Sequence, residues 1–99
     1  MQDVGTVISG DFEWDDAKTV SNEIKHGVGF DEAAVALASD PDEVAFQDPT
    51  EPDRVHSLVM SPRARVLLVV TTEKTARTRI ISARKADSHE QSTYTQKRT

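Results

Sequence analysis

The sequence contains no cysteine, which excludes a disulfide framework and a zinc site built from thiolates. Aromatic residues make up only 5% and hydrophobic residues 36% of the 99 residues, so the core of this single domain is expected to be small. No apolar run approaches the roughly 18 residues of a membrane span, and the acidic start does not resemble a signal peptide. These absences predict a cytoplasmic protein, without a membrane partner, that gains stability from another protein.

Charge is distributed unevenly along the chain. Residues 1–53 carry 14 acidic side chains and 2 lysines, whereas residues 54–99 carry 10 basic and 3 acidic side chains. The net charges of the two halves are therefore −12 and +7, which agree with −5 for the whole chain. This asymmetry predicts a basic surface that binds a polyanion and an acidic surface that meets a basic partner.

Apolar residues recur at helical spacing over residues 15–26 and again over residues 30–38. Gly27 stands where a left-handed residue ends the first predicted helix, and Asp40-Pro41 ends the second. The apolar stripe of the first helix consists of Trp14, Ala17, Val20 and Ile24. The stripe of the second consists of Phe30, Ala33, Ala34, Leu37 and Ala38.

Beyond residue 41 the pattern becomes that of β-strands, predicted over residues 44–46, 55–60, 66–72 and 78–83. Short connectors imply antiparallel neighbours, and the uninterrupted apolar run of residues 66–70 predicts the central strand. Asp87 and Glu90 form a capping pair for a last helix. We therefore expect an α+β domain over residues 12–95, with two N-terminal helices packed on a twisted antiparallel sheet of about four strands and a short C-terminal helix. A loose arm (residues 1–11) and a frayed tail (residues 96–99) flank it.

The end of the last predicted strand combines a buried apolar pair with cations. Arg79, Arg84 and Lys85 flank two isoleucines, so the sheet that buries the isoleucines holds the charges in place. Thr72 and Glu73 end the preceding strand. Phosphoryl transfer needs such a set, with a base near the attacking hydroxyl and cations for the developing charge. A solvated sheet face with cross-strand ion pairs accounts for the same pattern.

His26 is a second candidate acid or base, because imidazole is the side chain that ordinarily titrates near neutral pH. A histidine at the end of a helix also serves as a structural cap that interacts with the helix dipole. His56 and His89 have no metal-ligand spacing with His26 or with a carboxylate, so no metal site is predicted.

Further side chains are candidates for RNA contact. Arg54 opens a predicted strand and Tyr94 lies in the last helix, so the guanidinium could bind a phosphate and the ring could stack on a base. The alternatives are an ion pair of Arg54 with Asp53 or Glu51, and a Tyr94 that pins its helix to the sheet. The RNA-binding candidates are Lys25, Arg54, Thr72 and Tyr94.

The blocks KHGV (residues 25–28) and RIISARKA (residues 79–86), with FEWD at residues 12–15, closely resemble the BrnT family of type II toxins. The resemblance covers nearly all of residues 12–94. It implies a RelE-like fold, a ribonuclease activity that arrests translation, and neutralisation by a BrnA antitoxin. BrnA-type antitoxins carry a DNA-binding domain, so the complex is expected to bind its own promoter DNA. The antitoxin is expected to cover the basic surface of the toxin.

The sequence thus leads to the hypothesis of a metal-independent endoribonuclease without a cofactor. An RNA 2′-hydroxyl attacks its own phosphate, and either Glu73 or His26 accepts the proton. Arg79, Arg84 and Lys85 stabilise the developing charge. The alternative is a non-enzymatic nucleic-acid- or partner-binding module, that is, a degenerate toxin. The scarcity of cations after residue 86 favours that alternative.

Overall fold

The computed structural model describes residues 5–73 and 76–98, so Lys74 and Thr75 of the predicted connector and the terminal residues 1–4 and 99 lie outside it. In chain order the elements are β1 (Thr6–Ser9), β2 (Phe12–Asp15), α1 (Asp16–His26), α2 (Phe30–Ser39), β3 (Val44–Gln47), β4 (Arg54–Met60), β5 (Val66–Thr72), β6 (Thr78–Lys85) and α3 (Ser88–Arg98). The two N-terminal helices and four of the strands lie within two residues of their predicted bounds. Within the described ranges, no helix is long and apolar enough to span a membrane.

The sheet has six strands where about four were expected, because residues 6–15 form a β-hairpin. β1 and β2 are antiparallel, and β2 also pairs in parallel with β6, where Glu13 lies opposite Arg79. The expectation of a loose arm is therefore wrong for β1, and the sheet is mixed. β1 and β2 have four residues each, and Trp14 of β2 was assigned to the first helix because it lies at helical spacing from Ala17.

The strands are ordered β1-β2-β6-β5-β4-β3, so β5 is an interior strand as predicted. Helix α2 packs on one face, where Phe30 meets Val59 and Val69 in the larger core cluster. Helix α3 packs on the other face through Tyr94, which meets Leu58 and Leu68. We refer to these two sides of the sheet as the α2 face and the α3 face.

Helix α1 differs from its predicted packing. Trp14 belongs to β2, and Val20 and Ile24 are 53% and 82% exposed. The buried residue of α1 is Asn22, whose amide nitrogen donates to the carbonyl oxygens of Ala83 (2.6 Å) and Val28 (2.8 Å). β2 pairs with β6 only at its first two residues. Helix α1 therefore contacts the sheet through the polar side chain of Asn22, which binds the part of the β6 edge that does not pair with β2. It does not contact the sheet through an apolar stripe.

Helix α3 begins with the predicted capping pair. Asp87 Oδ1 accepts from the Glu90 amide (2.8 Å), and the Asp87 amide donates to Glu90 Oε1 (2.9 Å). The helix continues to Arg98, so residues 96–98, which were expected to fray, are helical. Tyr94 is 1% exposed and donates its hydroxyl to Asp40 Oδ2 (2.7 Å). This bond ties α3 to the end of α2.

Candidate active site

Three rows of side chains cross the α3 face, each made of residues that lie directly opposite one another on neighbouring strands. The middle row is Phe46, His56, Val70 and Ser82. The row nearer to α3 is Val44, Leu58, Leu68 and Arg84. The outer row is Arg54, Thr72 and Arg79. Neighbouring rows lie two residues apart along β4 and β5, or about 7 Å, and an irregularity makes the step from Ser82 to Arg79 three residues on β6. The polar groups of all three rows therefore lie within reach of one short nucleic-acid segment.

His26 completes a cleft on this face. The cleft has a volume of about 320 Å³ and is lined by His26, His56, Ser82 and Arg84 over an apolar floor that includes Leu68. His26 reaches it from the end of α1, one helical turn after Asn22, and residues four apart share a side of a helix. The bonds from Asn22 to the edge of β6 therefore position His26. The structure brings two predicted residues, His26 and Arg84, into one cleft.

His56 is a member of this cleft that the sequence did not predict, because its sequence neighbours suggest neither a metal site nor a base. Its Nε2 lies 2.7 Å from Asp48 Oδ2, and its ring stacks on Phe46 with centroids 5.4 Å apart. Backbone hydrogen bonding from Glu51, followed by the bonds from His56 and Thr50, lowers the pKa of Asp48 to about 2. Asp48 is therefore a carboxylate at neutral pH and orients the imidazole. The β3–β4 hairpin brings these residues together. In the sequence, the register of that hairpin was the only feature from which the contact of His56 with Phe46 could have been predicted.

Both arginines of β6 already have carboxylate partners. Arg84 makes a two-pronged bond to Glu90, with Nη1 and Nη2 donating over 2.8 and 2.9 Å. This hydrogen bond lowers the pKa of Glu90, although burial opposes the shift. Arg79 Nη1 donates to Glu13 Oε2 over 2.6 Å. The guanidinium side chains of Arg79 and Arg84 remain 30% and 40% exposed, so each keeps N–H groups that can reach a phosphate.

Arg54 and Thr72 lie in the outer row, where their local partners are acidic. Arg54 pairs with Glu51 at 3.1 Å, which is the alternative considered from the sequence. Thr72 is 7% exposed and donates its hydroxyl to Asp53 Oδ2 over 3.4 Å. Of these two candidates for RNA contact, Arg54 presents the more accessible group.

Glu73 lies on the opposite side of the sheet from the histidines. It lines a smaller cleft of about 240 Å³ on the α2 face, together with Glu43, Ser57 and Leu37. In a strand, successive side chains point to opposite faces, and Glu73 immediately follows Thr72 of the α3 face. The structure therefore does not bring Glu73 together with His26.

Three other predicted residues lie outside the cleft of the α3 face. Lys85 is exposed and lines a groove with Tyr94 and Ala64. Lys25 is exposed beside His26 at the end of α1. Tyr94 has almost no accessible ring surface, so the prediction that it stacks on an RNA base is wrong and its structural alternative is the observed one.

The charges of the basic half do not form one uninterrupted surface. Folding places carboxylates beside many of its arginines, and each such ion pair reduces the local positive potential. The paired arginines are Arg54 with Glu51, Arg63 and Arg65 with Glu32, Arg79 with Glu13, and Arg84 with Glu90. Among the described residues, no group of three or more histidine, aspartate or glutamate side chains is arranged to hold a metal ion.

The fold and the cleft define a small α+β protein with two histidines and an arginine in one polar depression. The sequence model of the BrnT family, described as the ribonuclease toxin of a type II toxin–antitoxin system, matches residues 14–90. The chain belongs to this family of ribonuclease toxins, and family membership implies an RNA substrate and an antitoxin partner. Among curated proteins, no sequence matches the chain significantly.

Proposed function

We propose that the chain is a metal-independent endoribonuclease that cleaves RNA in the cleft of His26, His56 and Arg84 and thereby arrests translation. One observation carries the proposal: α1, β4 and β6 each deliver a group suited to phosphoryl transfer to the same cleft. Two imidazoles can act as base and acid, and a guanidinium can stabilise the charge of the reacting phosphate. The family supplies the substrate class.

The reaction uses the RNA as its own nucleophile. The 2′-hydroxyl forms a bond to the adjacent phosphorus, and His26 accepts the hydroxyl proton. The bond from phosphorus to the 5′-oxygen of the next nucleotide breaks, and His56 donates a proton to that oxygen. The products are a 2′,3′-cyclic phosphate and a free 5′-hydroxyl. His56 is given the acid's role because a carboxylate, that of Asp48, lies 2.7 Å from its Nε2 and holds the ring in a fixed orientation.

Arg84 would stabilise the negative charge that develops on the phosphate. Its bond to Glu90 fixes the guanidinium beside the cleft and leaves N–H donors for the phosphate, since an arginine has five. Arg79 and Arg54, in the outer row next to the row of His56, are placed to bind a flanking phosphate. Lys25 extends the cationic border beside His26. These contacts orient the RNA strand, because phosphate contacts position the chain without reading its sequence.

The antitoxin partner is proposed to be BrnA-like, with a DNA-binding domain through which the complex binds promoter DNA. The finding that many arginines are internally paired bears on how it inhibits. A partner that simply neutralises a large basic surface would have few unpaired charges to bind. Steric closure of the cleft is therefore the simpler mode of inhibition.

The same pairing favours a second candidate function, a non-enzymatic module that binds RNA or a protein through the α3 face. Glu13 and Glu90 reduce the positive charge of Arg79 and Arg84, which weakens their attraction for phosphate. In this alternative the two histidines have no role in proton transfer.

Incubation of antitoxin-free protein with single-stranded RNA in EDTA separates the two functions. The ribonuclease is expected to give fragments that end in a 2′,3′-cyclic phosphate. The corresponding deoxyoligonucleotide should stay intact, because it lacks the 2′-hydroxyl that acts as the nucleophile. Binding without fragments would support the module. Cleavage of the deoxy substrate, or cleavage that EDTA abolishes, would contradict the proposed mechanism.

A further inference from the structure

We infer that Phe46 is a platform on which a base of single-stranded RNA stacks, beside the cleft of His26, His56 and Arg84. This inference rests on the proposed function, because it names the part of the substrate that the same site holds. A planar aromatic ring offers stacking to any base, whereas phosphates require cations. The site therefore selects RNA whose bases are unpaired, without reading which base is present.

Phe46 is the aromatic residue that the fold leaves accessible. All five aromatic residues lie in the described part of the chain, and Trp14, Phe30 and Tyr94 are at most 5% exposed. Phe12 is half-buried against the larger core cluster. Phe46 is 46% exposed. A single exposed apolar side chain is common on protein surfaces, so the place of Phe46 beside the cleft, and not its exposure alone, supports the inference.

The position of Phe46 connects it directly to the proposed chemistry. It lies on β3, the last strand of the sheet order, and opposite His56 in the middle row. One side of its ring stacks on the imidazole, with centroids 5.4 Å apart and planes inclined by 24°. Neighbouring strands are about 4.8 Å apart. A base stacked on Phe46 thus has its own sugar and phosphate within one or two strand spacings of His56 and of the cleft.

A structural role is the competing explanation, since a stacked aromatic pair also stabilises the β3–β4 pairing. The two roles predict different effects for substitutions of Phe46. A leucine keeps apolar contact with His56 but offers no π-face to a base, whereas a tyrosine or a tryptophan keeps both. The stacking role is identified if RNA affinity across the variants depends on the presence of an aromatic ring at residue 46 and does not depend on the stability of the hairpin.

The first test measures binding of single-stranded RNA whose 2′-hydroxyls are methylated, so that cleavage cannot occur. Phe46→Ala and Phe46→Leu are expected to raise Kd roughly 5- to 100-fold, which corresponds to the loss of one base stack, while Phe46→Tyr stays within about 2-fold of the wild type. Ile24→Ala is the matched control, because Ile24 is 82% exposed on α1 and should leave Kd unchanged. Duplex RNA should show no dependence on residue 46.

The second test places a fluorophore at the platform. The indole of Phe46→Trp should be quenched when the methylated RNA binds, whereas that of Ile24→Trp should not, and buried Trp14 gives the same background in both variants. Quenching of Phe46→Trp that an abasic RNA fails to produce would identify a base as the quencher.

The outcomes separate this inference from the proposed function. If the wild type cleaves RNA and Phe46→Leu binds the methylated RNA as tightly as Phe46→Tyr, the platform is wrong and the ribonuclease stands. If binding depends on the aromatic ring but no RNA is cleaved, the platform stands and the ribonuclease is wrong. If the wild type binds no single-stranded RNA, both are wrong.

Discussion

The two clefts on opposite faces of the sheet differ in chemistry more than in size. The cleft of the α3 face, about 320 Å³, contains two histidines and an arginine. The cleft of the α2 face, about 240 Å³, contains Glu43 and Glu73, and none of the described residues of its lining is basic. Ser57 donates to Glu43 there over 2.6 Å. A phosphate is repelled by a pair of carboxylates and attracted by a guanidinium. Of these two clefts, the cleft of the α3 face is therefore the one to which we assign the proposed ribonuclease reaction.

The largest effect is expected from removing the base. His26→Ala should lower the rate of RNA cleavage about 100-fold or more, which is the usual contribution of a positioned acid or base. His89→Ala is the matched control, because His89 is exposed on α3 and lies outside the cleft. A His26→Ala protein that melts at a lower temperature but cleaves at the wild-type rate would show that His26 is only a helix cap.

Arg84 and Glu90 can be separated, although they form one ion pair. Arg84→Ala should lower kcat about 100-fold, or about 3 kcal/mol of transition-state stabilisation. Glu90→Gln keeps the guanidinium and reduces its neutralisation, so cleavage should be kept or raised while the melting temperature falls by a few degrees. Equal losses of cleavage in the two variants would mean that the pair serves the fold of α3 and not the reaction.

Asp48 is expected to act through His56. Asp48→Asn leaves the imidazole in place but removes the charge that orients it, so kcat should fall on the order of 10-fold with little change in KM. Glu51→Gln is the matched control in the same loop, since the side chain of Glu51 pairs with Arg54 and not with His56. A larger loss from Glu51→Gln than from Asp48→Asn would contradict the positioning role.

The smallest effect on cleavage is expected from the ion pair of Glu32 with Arg65, which belongs to neither cleft. The hydrogen bond from Arg65 lowers the pKa of Glu32 below 4.5, although burial opposes the shift. A depressed carboxyl pKa stabilises the folded state fully above pH 4.5, and this contribution is lost as pH falls through the lowered value. Glu32→Gln should therefore lower the melting temperature at pH 7 and leave cleavage unchanged. At pH 3 the difference in melting temperature between the variant and the wild type should be smaller than at pH 7. An unchanged difference at pH 3 would contradict the assignment.

The features predicted correctly from the sequence depend on neighbours along the chain. Gly27 ends α1 with φ 73°, and Asp87 and Glu90 cap α3, because each signal lies within one helical turn. The pairs Arg79–Glu13 and Asn22–Ala83 join residues 66 and 61 positions apart, and no local sequence pattern predicts such contacts. The apolar spacing of α1 was misread in a similar way, because the stripe with Val20 and Ile24 was expected to pack on the sheet. Spacing shows which residues share a side of a helix, but it does not show which side is covered.

The candidate site was predicted in part for a related reason. His26 and Arg84 were identified by residue type and by their position at the ends of elements. His56 gained its significance only through the hairpin that brings Asp48 and Phe46 to it. Glu73 was grouped with the cations because it is adjacent to Thr72. Adjacent side chains of a strand point to opposite faces of the sheet, however, so Glu73 lies on the α2 face.

The cleavage rate of Glu73→Gln in EDTA, relative to the wild type, tests the assignment of the reaction to the α3 face most directly. The variant removes the carboxylate of the α2 face and leaves the histidines untouched. We predict a rate within about 2-fold of the wild type, because remote surface substitutions change little. A loss of 100-fold or more, the size expected for a general base, in a variant with an unchanged melting temperature would contradict the account and move the base to the other side of the sheet.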